Sequence, residues 1–525
     1  MSSELLSSKT IIYEGTPQTR TLLPASTSIA GAIGITERGP IGEPVLCTSF
    51  EEYQRQFGKL TANSELGLAA MGFFQNGGSM LWAVRTQHYD DVSDPESSNA
   101  ERADGNLVAT VPGEEGPVTV DAVQAEGKDP GAYGNRVEVE VRPPTSGETG
   151  EFNLAILEDG VYRESFINLN MTPDSERYIE AIVNDARTGS VFIRVTDEEE
   201  DDVETLDIQT IQLTGGDDGL TGLDDTDFIG SDAGKTGLFA LDQVQDISVL
   251  LVPGRGTPAV HDAMIQYCDV TRDGLIFPVL DPPQGYSATE IRDYVKTTAA
   301  LYNKSETGAI YWPWLKIINP SKSIFGAEDT IVVPPSGIVA GVYARTDSAV
   351  PGGVYRPPAG VEKGRLFGVV GFETDEVLEE AKRDIVYPAR INPLTTSPGN
   401  PIYIDGSRTL KGNGQFPYVA EKRGVIYIKR SLKHGLEFAR HRNNDARLRA
   451  EVYRSIKAFL LIQMHNGAFR YNEPDKAFVI EISDDPLDVM NHQLRGKVLL
   501  ATNKSTDWVL IEIGQDLRDI GETLA

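Results

Sequence analysis

Apolar and polar positions follow three rhythms along this chain, and each predicts a different kind of structure. Thr10-Ile-Ile-Tyr13 reads as a short strand after a polar opening, and Ser28 to Ile35 (SIAGAIGI) as a second strand rich in small residues. Ser49 with Glu52 three positions on is a capping-box signature. Phe50, Tyr53 and Phe57 then line one helical face before Gly58 stops the turn. A further helix is expected from Ser64 to Asn76, followed by a buried strand from Met80 to Arg85. After Gln87 the rhythm shortens. Val118 to Val123, Arg136 to Val141, Phe152 to Leu157 and Val191 to Val195 are short β patterns between Gly- and Asp-rich breakers, as in an all-β module.

From about Gly237 strands and helices alternate. Ile247 to Val252, Leu275 to Leu280 and Ala309 to Leu315 read as strands, and Thr257 to Cys268 and Ser287 to Tyr302 as the helices between them. Helices of that length between strands imply parallel crossovers and an α/β domain. Val333 to Gly360 is apolar but punctuated by Gly and Pro, which predicts an ordered, buried loop system without reactive side chains. A helix is expected near Thr374 to Arg383, then a hairpin-like strand pair around Pro401 to Ile404 and Gly424 to Ile428. Asp445 to His465 has the clearest helical stripe, Leu448, Val452, Ile456, Phe459, Leu460 and Met464, with Gly467 as its stop. Ala477 to Ile482 and Trp508 to Ile513 read as the closing strands.

Charge divides the chain further. The 525 residues carry a net charge of −30. Residues 91–235 hold 35 acidic against 9 basic side chains, whereas residues 390–460 hold 14 basic against 5 acidic. The first block is expected to face water and to repel nucleic acid. The second lacks the aromatic interleaving of single-strand binders. The length predicts several domains, and no run approaches the ~20 apolar residues of a membrane helix. Cys47 and Cys268 make no disulfide framework and fit a reducing cytoplasm.

Motifs that would carry chemistry are incomplete. Gly230-Ser-Asp-Ala-Gly234-Lys235-Thr236 has three residues where a phosphate loop needs four before its Gly-Lys pair. His88, His261, His434, His441, His465 and His492 include no pair with zinc-protease spacing, and Asp217 to Asp232 lacks the alternation of a calcium loop. Cys268 reads as a core thiol. Arg255 and Asp281 stand where an α/β enzyme would bind a ligand, beyond the carboxyl ends of strands, but no glycine fingerprint accompanies them, and the Lys235 loop follows an acidic stretch rather than a buried strand. No catalytic residue, metal or cofactor is expected.

An ordered succession of short motifs nevertheless resembles one family. Thr27-Ser-Ile-Ala30, Arg38-Gly-Pro40, Phe57-Gly58, Phe73-Phe-Gln-Asn-Gly-Gly78 and Asp246 to Gly254 come first. Tyr267-Cys268, Asp281-Pro-Pro283 and Tyr311-Trp-Pro-Trp-Leu315 follow. The most specific stretch runs from Pro334 to Arg345 and on to Pro357-Pro-Ala-Gly360. Ile391-Asn-Pro393, Gly406-Ser-Arg-Thr-Leu410, Arg430-Ser431 and Asn443-Asn444 complete the order. In these residues the chain resembles contractile tail sheath proteins of phages, pyocin-like particles and related injection systems. It departs from them at Phe416-Pro-Tyr418, where the family often carries Trp, and in residues 91–235, which have no counterpart.

The resemblance implies a multidomain α+β and α/β fold with extended arms. The expected divisions are an N-terminal arm 1–21, a sheath core of 22–90 with 346–505, an acidic β-rich insertion 91–235 on the outside, an α/β middle domain 236–345 and a C-terminal arm 506–525. It also implies stacked, usually hexameric rings around an inner tube, capped by baseplate and terminator proteins. Such a tail would be assembled in a bacterial cytoplasm, without direct nucleic-acid contact or membrane insertion. Ile11, Ile12 and Tyr13 and Trp508, Val509, Leu510 and Ile511 are the candidates for strand exchange between subunits. Pairing within one subunit is the equal alternative. Arg447, Arg449, Arg454 and Lys457 are the candidate tube-facing residues, against the plain alternative of a solvated helix face. A static shell protein and an α/β enzyme are the competing readings of the whole chain.

Overall fold

The computed structural model describes residues 22–114, 116–200 and 202–505. The strands expected at Ile11, Ile12 and Tyr13 and at Trp508 to Ile511 lie outside the described residues. The described chain forms two units. The larger runs from Ser26 to Ile426 and resumes at Lys504; the smaller runs from Tyr427 to Asn503 and includes residues 22–25.

The larger unit is organised by β1 (Ile29–Gly34), β2 (Pro44–Cys47) and β3 (Met80–Arg85), in which β1 and β3 pair in parallel. Helix α1 (Phe50–Phe57) begins as its sequence predicts: Ser49 accepts from the Glu52 amide, while Glu52 accepts from the Thr48 amide at 2.8 Å. Its stop, Gly58, has φ 82°. Helix α2 (Glu65–Gln75) follows.

The chain then leaves the sheet for a β module with its own core, from Ala103 to Leu213. Strands β4 (Asp104–Gly113), β5 (Gly116–Gly127) and β9 (Ile193–Asp197) make one antiparallel sheet of this module. The other has β6 (Val137–Arg142), β7 (Phe152–Glu158), β8 (Val161–Leu169) and β10 (Thr210–Gln212). Phe228 belongs to the main core, so the self-contained part ends near Leu213 and not at residue 235.

Back in the main sheet, β11 (Val249–Leu251), β12 (Phe277–Leu280) and β13 (Ala309–Trp312) continue the parallel run. Strands β14 (Leu315–Ile318), β15 (Thr330–Val333) and β16 (Val369–Phe372) form a separate antiparallel sheet. Strands β17 (Ile391–Thr395) and β18 (Tyr403–Ile404) close the main sheet, whose order is β18-β17-β13-β12-β11-β1-β3-β2. One sheet thus takes strands from residues 22–90, 236–345 and 346–505. The expected boundary between a sheath core and a middle α/β domain does not divide the molecule, because parallel pairing of β1 with β11 joins the two segments.

Two expected elements are corrected. The apolar, Gly- and Pro-punctuated stretch is not a loop: Ser336–Ala349 is a helix, α3, buried along nearly its whole length. Its glycines serve packing. A Cβ on Gly341 would stand 2.5 Å from the Phe73 carbonyl oxygen, and one on Gly72 of α2 would stand 2.5 Å from Ile338. The expected strand Gly424 to Ile428 lies inside helix α4 (Val419–Gly435). Gly424 to Ile428 has no exposed position and no charged residue, so this stretch shows nothing of the 3.6-residue period of the helix around it.

In the smaller unit helix α5 (Ala446–His465) starts at Asp445, whose carboxylate accepts from the Leu448 amide at 2.7 Å. Its predicted stripe is buried in full. Strands β19 (Phe478–Ile482) and β20 (Gly496–Leu500) form an antiparallel hairpin, with Phe478 against Phe469 at 5.8 Å between ring centres.

Candidate assembly surfaces

The β19–β20 hairpin is a two-stranded sheet, so each strand keeps one edge without a strand partner among the described residues. Phe478 is buried on one face. On the other, the cross-strand pair Val479 and Leu499 is 44% and 48% exposed, next to the pair Glu481 and Lys497. Helix Pro486–Met490 in the connection leaves Leu487 and Met490 largely in solvent. Two-stranded sheets are marginal alone and gain stability by accepting further strands. The hairpin therefore offers both backbone edges and an apolar face for strand addition.

The four candidate basic residues of α5 do not act as one patch. At about 100° per residue, Arg447 and Arg454 project in nearly the same direction and Lys457 lies about 80° away, but Arg449 points to roughly the opposite side. Arg449 donates to the carbonyl and side-chain oxygens of Asn444 at 3.1 and 3.0 Å. Arg447 is exposed and makes no ion pair among the described residues. Lys457 lies over the Tyr453 ring at 5.9 Å. Arg454 is half-buried, and its Nε has no hydrogen-bond partner among the described residues.

The residues expected of the competing enzyme reading are all engaged structurally. Arg255 stacks on the Phe228 ring at 4.0 Å, and Lys235 pairs with Asp232 and, at 3.0 Å, with Asp242. Asp281, at the carboxyl end of β12, accepts from the Gly254 amide (3.1 Å), the Ser336 amide (2.7 Å) and the Ser336 hydroxyl (2.6 Å). Burial pushes its carboxyl up to about 6 against the pull of those donors. His261 sits between the Asp281 carbonyl and the Tyr294 hydroxyl, each at 2.9 Å, and burial lowers it to about 4. Burial raises the thiols of Cys47, to about 12, and Cys268, so neither forms a nucleophilic thiolate near neutrality. Among the described residues no cluster of His, Cys, Asp or Glu has the makings of a metal site, and no helix is long and apolar enough to cross a membrane.

Sequence reasoning missed a cavity of about 920 Å³ in the larger unit. Its walls include Arg383, Tyr387, Arg390, Ser407, Arg408 and Ser505. The segment Gly406-Ser-Arg-Thr-Leu410 was visible as a motif, but only the fold brings it to Arg383 and Arg390.

No protein-family profile matches the chain, and no curated protein matches it in sequence. Solved structures do. The sheath complex of an extracellular contractile injection system, PVC, in its contracted state superposes with a TM-score of 0.55 at 16% identity, covering 97% of this chain and 99% of that one. The contracted helical sheath of the anti-feeding prophage gives 0.56 at 15% identity, over 98% and 100%. A sheath tail protein from Listeria innocua gives 0.59 at 11% identity, over 92% and 96%. The chain has the multidomain α/β fold of these sheath proteins along almost its entire length.

Proposed function

We propose that this chain is the subunit of a contractile sheath, a structural protein that polymerises as stacked, sixfold rings around an inner tube and shortens to drive that tube through a target envelope. The observation that carries the reading is the fold: near-complete coverage of subunits from contracted sheaths. The open β19–β20 hairpin supports it, because it supplies what strand exchange requires. In this reading Ile11, Ile12 and Tyr13 of one neighbour and Trp508, Val509, Leu510 and Ile511 of another add strands to the hairpin. Backbone hydrogen bonds keep the lattice connected while the bodies rotate and slide.

Arg447, Arg454 and Lys457 are the tube-facing residues of this proposal, and Arg449 is not. Exposed ion pairs contribute ~0–1 kcal/mol each, so many repeated weak contacts hold the extended state and release together. The other partners are a baseplate and a terminator protein; the particle is a phage tail or a related injection machine. The engaged states of Arg255, Asp281 and Lys235 support a non-catalytic role.

Negative-stain electron microscopy of the purified protein tests the reading. Cross-striated hollow tubes, lost on deleting residues 1–21, are expected. Flat sheets of fixed spacing indicate a static shell, and discrete particles that never polymerise refute self-assembly.

A further inference from the structure

Near the C-terminal end of α3 two arginines share one aromatic ring and have no counter-charge among the described residues. The guanidiniums of Arg345 and Arg365 lie 4.5 and 5.1 Å from the centre of the Phe367 ring. Arg345, half-buried, donates to the carbonyl and side-chain oxygens of Asn76 at 3.0 and 3.5 Å and to the carbonyls of Lys363 and Arg365, all of them neutral acceptors. Arg365 is exposed, and its side chain makes no hydrogen bond or ion pair among the described residues. The nearest acids in the sequence are already engaged: Asp347 by Arg423 at 2.6 Å and Glu362 by Lys363 at 3.0 Å. Burial and then the like charge of Arg365 pull Arg345 below the ordinary arginine value. Phe367 itself is 40% exposed, and Val370, three residues on, is half exposed on β16, the last strand of its sheet. Two cations against a partly exposed ring suit a partner that brings carboxylates and an apolar side chain together.

The chain carries such a surface elsewhere. No Lys or Arg stands between Arg194 and Lys235, and residues 203–209 cross the acidic module in the middle of that stretch. Leu206 anchors them in the module core, while the Asp207 amide and the Gln209 side chain donate to the Val108 carbonyl at 3.0 and 2.8 Å. The held segment presents Glu204, exposed and without an ion pair among the described residues, and Ile208, 70% exposed. Within one subunit the two surfaces do not meet, since neither arginine pairs with a carboxylate among the described residues. Complementary surfaces that sit apart on one chain make head-to-tail contacts, which close into rings or continue as helices. We propose that Arg345, Arg365 and Phe367 of one subunit receive residues 203–209 of the acidic module of a second copy. The proposal rests on the self-assembly reading; strand exchange carries the lattice and this contact adds to it.

Charge reversal in the full-length protein tests it, with Arg365→Glu and Glu204→Arg made singly and together. Both positions are exposed, so the variants should keep the melting temperature of the wild type. Each single reversal is expected to raise the concentration at which self-association begins, read by sedimentation velocity, by about fivefold. The double variant restores opposite charges across the contact and is expected to associate as the wild type does. Single variants with unchanged association overturn the contact, and if they also form tubes the sheath reading stands without it. A loss that the double variant fails to recover overturns the choice of occupant and gives the patch to another acidic partner. Loss and recovery in a protein whose oligomers never become tubes uphold the contact while refuting the sheath reading.

Discussion

Asp281 and Asp347 show how single buried carboxylates tie this fold together. Asp281 caps α3 through the Ser336 amide and hydroxyl and holds the turn after β11 through the Gly254 amide. Its folded value of about 6 lies above the ordinary 3.8, so the folded state holds this proton more tightly than the unfolded chain does. The contribution is present in full below pH 4 and is lost as pH rises through 6, on the order of 3 kcal/mol in total. In urea titrations at pH 4 and pH 7 the change in stability between the two pH values should differ between the wild type and Asp281→Asn by about 2–3 kcal/mol; equal changes refute the assignment. Asp347 pairs with Arg423 in two hydrogen bonds, at 3.1 and 2.6 Å, with both side chains almost wholly buried. Arg423 also donates to the Thr27 carbonyl and lies over the Tyr343 ring at 4.4 Å. Asp347→Asn leaves a buried guanidinium without its counter-charge and should cost about 3–5 kcal/mol. Replacing both residues together, Asp347→Leu with Arg423→Met, should recover most of that loss. A double-mutant cycle by chemical denaturation measures it, and additive losses would show that the pair is not coupled.

Elements whose amphipathic pattern meets solvent on one side were readable from sequence. Helices α1 and α5 were, the first down to its cap at Ser49, as were strands β5, β6, β7 and β9 of the β module, whereas β4, β8 and β10 were not read. Apolar stretches without exposed positions were not. Helices α3 and α4 imitate a loop and a strand because their surroundings, not their own periodicity, decide their form. In α3 the glycines that suggested a loop are the contact surface with α2. Gly341→Ala tests this. In a free helix the change would stabilise by about 1 kcal/mol, but here the new methyl meets the Phe73 carbonyl oxygen and the Asn76 Cβ at 2.5 and 2.7 Å. The clash should win, with a net loss of about 1–3 kcal/mol seen as a lower melting temperature. A raised melting temperature would mean that the two helices have room to spare. The assembly surface was partly legible for the same reason. The stripe of α5 placed its basic residues on other faces, and the engagement of Arg449 by Asn444 is a local contact at the helix start, but the cavity around Ser407 depends on tertiary neighbours that no local pattern encodes.

The charge asymmetry of the chain becomes interpretable only for the molecule as a whole. Most of the acidic block belongs to a module with a separate core, and its entry and exit are joined: Asp104 and Thr214 exchange backbone hydrogen bonds of 2.8 and 3.0 Å. Polar contacts clamp the module onto the rest of the larger unit. Arg136 pairs with Glu37, Lys59 with Glu158 at 2.9 Å, the Gly39 amide with Asp129 at 3.1 Å, and buried Arg85 donates to the Pro130 carbonyl at 2.7 Å. None of the strands of the main sheet comes from the module. Removing residues 105–213 and joining Asp104 to Thr214 should therefore spare the main sheet. It strips buried partners from Arg85 and Glu37, each a loss of about 1–3 kcal/mol, and should lower the melting temperature by several degrees. If the acidic module forms the outer rim of the proposed sheath, the shortened protein still polymerises and its tubes are narrower. Electron micrographs of the two proteins compared for outer diameter decide the point. Tubes of unchanged diameter would put the module elsewhere. Loss of tubes from a folded, cooperatively melting variant would make the module part of the contacts between subunits, and its negative charge would then need a basic partner on the neighbouring copy.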